Sequence, residues 1–357
     1  MSHPLAPSRL RSQITVLSLL ILAASCNFRP RSVEKEEPAP QPGVGNISRL
    51  DRAMNSLAAE RAQIQKIAGG YDYTDGAFYS REGYLLFSDV KRNVIYKWTP
   101  DGVVAEFRKP GGYDGKDAGR GALVGARGIT VDGRSQVVIC EAGNRRIVRL
   151  SRLGDASAVV DRFEGKRLNG PRDLVFNSDG VLYFTDPGAE GASRELKVNG
   201  VYRVDAEGKT RLLVSDLSQP AGIALSHDQK QLYVTNADPG HPVLMRYELN
   251  RDGGIESSSA FFDFSKEKNA GQLGGVKLDM SGNVYVAGPG GVYVLSSDGK
   301  HLGTFQTPEQ PMNLYWGKYA DTTTAPAMGS AEYATTLYIA GGSDVYRIAL
   351  MSVGVRP

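Results

Sequence analysis

Cysteine and histidine are scarce in this 357-residue chain: two Cys, at positions 26 and 140, and four His, at 3, 227, 241 and 301. With so few, no disulfide framework is available and no zinc-type cluster of His and Cys can be assembled. No Ser-His-Asp arrangement can be argued either. Cys140, inside the apolar run Gln136-Val137-Val138-Ile139-Cys140, reads as a small buried hydrophobe with no activating partner. Excess charge is lacking too. The net charge is +3 and no basic stripe runs along the sequence, which argues against nucleic acid as a partner. The apolar stretch at residues 14–24 is too short to cross a membrane as a helix.

What is present begins with an export signal. Arg9 and Arg11 precede the apolar stretch, and small residues lead to a cysteine in Leu22-Ala23-Ala24-Ser25-Cys26. A positive n-region, an apolar h-region and a small-residue cleavage site make a secretory leader. The terminal cysteine resembles a bacterial lipobox, so acylation of Cys26 is the expectation, although Ala23 stands where such boxes usually carry Leu. Simple cleavage after a small residue is the alternative. Acyl chains would hold the protein on a membrane surface without spanning it. Residues 27–46 contain Pro30, Pro38, Pro40, Pro42, Gly43 and Gly45 around Glu34-Lys35-Glu36-Glu37. Such a segment cannot build a core and reads as a disordered spacer. The expected organisation is a leader over 1–26, a linker over 27–46 and one domain over 47–357, exported and held at the cell envelope.

The domain is built from repeats. Apolar residues make up 41% of the chain and glycine accounts for 42 residues, which suits an all-β protein with many tight turns. A Gly or Asp followed by an alternating apolar run, a polar turn and a second run recurs six times. Examples are Gly128-Ile129-Thr130-Val131 with Val137-Val138-Ile139-Cys140, and Asp173-Leu174-Val175-Phe176 with Val181-Leu182-Tyr183-Phe184. The copies recur at intervals of roughly 40–50 residues, the period of propeller blades. Turns such as Ser178-Asp179-Gly180 mark hairpins. One such sheet cannot bury both faces, whereas six stacked around an axis can. The expected fold is therefore an all-β, six-bladed β-propeller. Gln63-Ile64-Gln65-Lys66-Ile67 is the candidate strand to close the last blade, and residues 47–61 have the spacing of a short helix.

Several stretches resemble the senescence-marker-protein/gluconolactonase/luciferin-regenerating-enzyme-like family. They are Leu85-Leu86-Phe87-Ser88-Asp89, Cys140-Glu141-Ala142-Gly143-Asn144-Arg145-Arg146, Arg162-Phe163-Glu164-Gly165-Lys166-Arg167-Leu168-Asn169 and Tyr183-Phe184-Thr185-Asp186-Pro187. The resemblance implies a propeller that hydrolyses sugar lactones or related esters with a divalent cation, often calcium, on the channel axis. It also implies where the cation's oxygen ligands would stand: at Asp75, Arg172, Ala221 and Gly274. Only Asp75 keeps a carboxylate. Arg172 brings a permanent cation, and Ala221 and Gly274 bring no side-chain oxygen. Arg127 and Ala142 likewise replace the Asn and His usual in the family.

A guanidinium and a divalent ion repel strongly in a low-dielectric channel, so no cofactor is expected, and calcium only if the hydrolase reading holds. Arg172 is expected to occupy the metal's position and pair with Asp75, with Arg127 as a second cation; the bland alternative has both arginines in solvent. The candidate ligand-binding residues are Arg127, Asn169, Arg172, Asp186 and Asn313. The catalytic candidates are Asp75, Asp173 and Asp186. Asp89 and Asp132 read as turn caps. Three functions remain open: a propeller binding a small polar or anionic molecule with the calcium-dependent site degenerate, a lactone or ester hydrolase with an altered site, and a protein-interaction platform.

Overall fold

Each of the six repeats folds into a blade of antiparallel strands in a computed structural model that describes residues 43–116, 122–188, 194–267, 272–318 and 334–355. The leader, and the spacer as far as residue 42, lie outside the described residues. So does most of the insertion between the first two strands of the sixth blade. The rest belongs to the compact unit Gln41–Pro357.

The first blade runs Thr74–Tyr79, Leu85–Asp89, Val94–Trp98 and Val104–Arg108. The second runs Ala126–Val131, Val137–Glu141, Arg146–Leu150 and Ala156–Val160. The third and fourth begin at Leu174–Phe176 and Pro220–Leu225, and the fifth and sixth at Val276–Leu278 and Pro311–Gly317. These first strands line the axis. Their apolar side chains fill the wedges between neighbouring blades, where each fully buried Leu or Phe contributes about 1.5–3 kcal/mol. The hairpins close as the turn chemistry requires. In one, Asn177 Oδ1 accepts the N–H groups of Asp179 and Val181 at 3.0 and 2.8 Å, and Gly180 supplies a φ of 79° that a side chain would strain.

The ring closes through the chain's own beginning. Ile64–Gly69 pairs antiparallel with Asp344–Ala349 and completes the sixth blade, as the sequence suggests. The sixth blade then packs on the first, with Tyr79 stacked on Tyr338 at 4.8 Å and Phe78 edge-on to Tyr315 at 5.0 Å. The expected helix over 47–61 shrinks to Met54–Leu57. The reason lies in Asn46–Arg49, which pairs with His301–Gln306 and adds a fifth strand to the fifth blade. That pairing takes Ile47–Arg49 out of any helix. It also orders the last residue of the stretch read as spacer, since Asn46 opens the added strand.

Candidate functional site

Antiparallel pairing puts one first-strand residue per blade at the same height at one end of the axis. Thr74, Ala126, Pro220 and Pro311 pair with the last residues of their second strands, so Asp75, Arg127, Ala221 and Met312 follow in register. In the third and fifth blades the ladder bonds from Arg172 N to Thr185 O and from Gly274 N to Ala287 O, both 2.8 Å, complete the ring. The mouth is thus ringed by Asp75, Arg127, Arg172, Ala221, Gly274 and Met312. Above it opens a cavity of about 420 Å³ lined by Tyr73, Arg127, Arg172, Arg194, Ser218 and Gln219 among others, with no carboxylate among the described residues of the lining.

The pairing expected of Arg172 is made instead by Arg127. Its Nη1 lies 3.0 Å from Asp75 Oδ2, with the two side chains only 13 and 3% exposed. The guanidinium carbon sits 5.5 Å from the centre of the Tyr73 ring. Burial pushes the Arg127 pKa down, but Asp75 and Tyr73 outweigh it and hold the value above the usual one. The geometry is simple: Asp75 belongs to the first blade, Arg127 to the second, and Arg172 to the third. The Arg172 side chain has no hydrogen-bond or ion-pair partner among the described residues. Burial, and then the neighbouring Arg127, lower its pKa. A partly buried cation with nothing to satisfy it points to a ligand that does. Arg194, at the rim, donates to Asn199 Oδ1 at 2.9 Å.

The other predicted site residues are placed as follows. Asp186 is fully buried, and its two oxygens accept the N–H groups of Asn169 and Gly170 at 2.7 and 2.6 Å. Burial pushes its pKa up to about 6. Asn169 is buried beside this turn, with Nδ2 donating to Val198 O at 2.8 Å and Oδ1 unpartnered. Asp173 and Asn313 stand one residue further down the axis and line a narrow space of about 50 Å³ rather than the mouth. Asp173 accepts from Leu174 N at 3.0 Å and Ile223 N at 3.2 Å, and burial raises its pKa against the pull of Lys277, 3.8 Å away. Asn313 Oδ1 accepts from Leu314 N at 2.8 Å. Burial lifts the Cys140 thiol well above its usual pKa, so it stays protonated. Asp89 caps the turn before the first blade through the N–H groups of Asp72 and Tyr73, and Asp132 does the same for Arg134 and Gln136.

A calcium ion takes six to eight oxygen ligands. At this mouth Asp75 supplies the only carboxylate of the ring, and its Oδ1 is already bound to Gly76 N at 2.7 Å and its Oδ2 to Arg127. Among the described residues no group of three or more His, Cys, Asp or Glu is placed to hold a metal. Among the described residues, the side-chain donors of this ring do not fit a divalent cation.

Residues 73–325 match the family described as SMP-30/Gluconolactonase/LRE-like region. The chain belongs to that family. It is 32% identical over 326 residues to a gluconolactonase of Zymomonas mobilis, covering 87% of this chain and 88% of that one. The lactonase drp35 of Staphylococcus epidermidis is 35% identical over 248 residues, 66% of this chain and 69% of its own. A solved gluconolactonase of Xanthomonas campestris superposes with a TM-score of 0.72 at 26% identity, covering 88% of this chain and 99% of its own. A calcium-binding protein, regucalcin, of Agrobacterium tumefaciens shares the fold at a TM-score of 0.62 and 16% identity, covering 81% of this chain and 93% of its own. Within this gluconolactonase-family member, the sequence reading missed Lys277, Arg194 and Tyr73. Lys277 was within reach: it follows Gly275 by two residues, and the period of two along a strand turns it to the same side. Arg194 lies in a connection with no periodic signal.

Proposed function

We propose that this gluconolactonase-family propeller is exported, held at the cell envelope through Cys26, and binds a small anionic or polyhydroxyl molecule at the mouth without a divalent cation. The observation that carries the reading is the division of labour between two neighbouring arginines. Arg127 neutralises Asp75, and among the described residues nothing matches the Arg172 guanidinium, which lines a polar cavity. Carboxylates match a guanidinium's paired N–H donors. Gln219 in the cavity lining offers its side-chain amide to hydroxyl groups.

The lactonase activity named for the relatives supports a hydrolase reading less well. A hydrolase needs a base within reach of its water. Asp75 is tied to Arg127, Asp186 to two backbone N–H groups, and Asp173 lies below the mouth beside Lys277. Calorimetric titration with gluconate, glucose and gluconolactone, each with and without EDTA, tests the proposal. Gluconate binding that EDTA does not affect supports it. Chelator-sensitive lactone turnover, or no binding of either gluconate or glucose, overturns it.

A further inference from the structure

The residues after the last strand run inward across the end of the propeller opposite the mouth. First strands start at the mouth, so their last residues mark the far end, Leu278 in the fifth blade and Trp316 with Gly317 in the sixth. Residues 351–355 begin beside the short helix, where Met351 N donates to Leu57 O at 2.8 Å. They then follow the seam between the fifth and sixth blades. The fifth blade holds them through Tyr285 OH, 3.0 Å from Ser352 Oγ, and through Met280 N, which donates to Val353 O at 2.8 Å. The sixth holds them through Ala334 O, which accepts from Gly354 N at 2.9 Å. Gly354 also bridges to Asp279, and Val355 N donates to Leu278 O at 2.9 Å. Val276–Leu278 pairs with Val284–Gly288 on its outer side, so this last contact uses the edge that faces the axis. Val355 there joins the lining of the narrow space of about 50 Å³ that Asp173 and Lys277 also line.

The fit is close at one point and loose elsewhere. Gly354 is buried and lies on the fully buried Trp316, and a Cβ at that position would overlap the indole ring. Its neighbours Met351, Ser352, Val353 and Val355 are at least partly exposed. All five residues are uncharged, so backbone bonds and one packed glycine hold the segment in place. Such segments open locally at lower free energy than the blades they cover. Behind Val355 three N–H groups turn to the axis instead of to a neighbouring strand. Leu174 N and Ile223 N donate to the Asp173 carboxylate at 3.0 and 3.2 Å, and Leu314 N to Asn313 Oδ1 at 2.8 Å.

We propose that residues 351–355 are a latch on the axis: seated, they stop it at the end opposite the mouth and keep water from Asp173 and Lys277, and lifted, they let water in. A dry axis matters to the mouth, because charges act over longer distances in a low dielectric. Burial is the main reason the Asp173 pKa is raised, yet the charges of Lys277 and Asp75 reach it as well. The charge of Asp173 in turn reaches Arg172. The seated latch preserves this link between the lower axis and the ring. The inference stands on the far end of the axis alone and holds whatever the mouth binds.

Two readouts on the full chain test the latch: acrylamide quenching of its two tryptophans, Trp98 and Trp316, both buried, and hydrogen exchange read residue by residue. Gly354→Val should lift the segment off Trp316 and raise quenching about twofold. It should also speed exchange of the Leu174, Ile223 and Leu314 N–H groups about tenfold. The N–H groups of Asn169 and Gly170, which Asp186 holds at the other end, should keep the parent's rate. Val355→Gly removes only the side chain at the axis and should speed the same three groups about threefold, which decides the matter if the first variant does not fold. Quenching of Gly354→Val at the parent's level, or the three axial N–H groups at the parent's rate in either folded variant, overturns the proposal. So does equal acceleration at Asn169 and Gly170, which would make the segment a general support of the fold and not a stop on the axis.

Discussion

Two sets of polar side chains share one end of this propeller, on adjacent strands, and they answer to different demands. The first closes the second strand of a blade: Asp89, Glu141, Asp186 and Asn236. Each is buried and each is spent on its own fold. Asp89, Asp186 and Asn236 accept N–H groups of the preceding connection, and Glu141 is held by Arg108, Arg146 and Asn144. The second set is the ring at the first strands, where Asp75 and Arg127 satisfy one another and Arg172 is left over. The two sets look alike in sequence, as polar residues at strand ends. What separates them is whether the fold itself provides the partner.

That contrast predicts an order of effects. The largest should come from Asp75→Ala, which leaves the Arg127 guanidinium buried without its counter-charge and should cost about 3 kcal/mol in urea unfolding. Removing both partners in Asp75→Leu/Arg127→Met should recover most of the loss. An additive double variant would mean the pair is not the unit described here. Next comes Asp186→Ala, which strands two buried N–H groups and should cost about 2 kcal/mol. Asp186 also carries a pH signature. Its folded pKa, about 6, lies above the usual aspartate value of 3.8. The linked stability is therefore full below the unfolded value and is lost as pH rises through the folded one. Asp186→Asn keeps an acceptor and removes the titration, so its stability should be flatter than the parent's across that window. Parallel curves would show that the carboxyl does not titrate there.

The blades were legible because a period of two within strands and a long period between repeats are properties of the chain alone. The site was legible only in its membership. Asp75, Arg127 and Arg172 could be read off as ring positions, but the choice of partner depends on which blades touch. Consecutive blades are neighbours in space, so Asp75 meets the arginine of the next repeat. Asp186 and Asp173 could not be sorted from catalytic carboxylates by sequence, since both are aspartates at a strand end. Their fate is decided by N–H groups of Asn169, Gly170, Leu174 and Ile223. The strand Asn46–Arg49 was hidden by the residues after it, Leu50, Met54 and Leu57-Ala58, whose spacing fits a helix. Pairing with the edge of the fifth blade overrode it.

The smallest effects discriminate best. Arg172→Gln should leave stability within about 0.5 kcal/mol of the parent, because its side chain has no partner among the described residues. It should weaken binding of the anionic ligand about tenfold, or 1.4 kcal/mol. A large stability loss without a change in binding would move Arg172 into the structural set. Calcium should do least of all. An ion bound at one hundred times its Kd stabilises a fold by about 2.7 kcal/mol. A mouth holding one engaged carboxylate and two guanidinium groups should gain nothing measurable in Tm from millimolar calcium. If instead Tm rises, the cage must be built from oxygens other than those of Asp75, because its Oδ1 and Oδ2 are bound to Gly76 and Arg127. Arg127→Asn sharpens the expected outcome: it frees Asp75, so a calcium response that is absent from the parent and appears in that variant would show the guanidinium to be what excludes the ion.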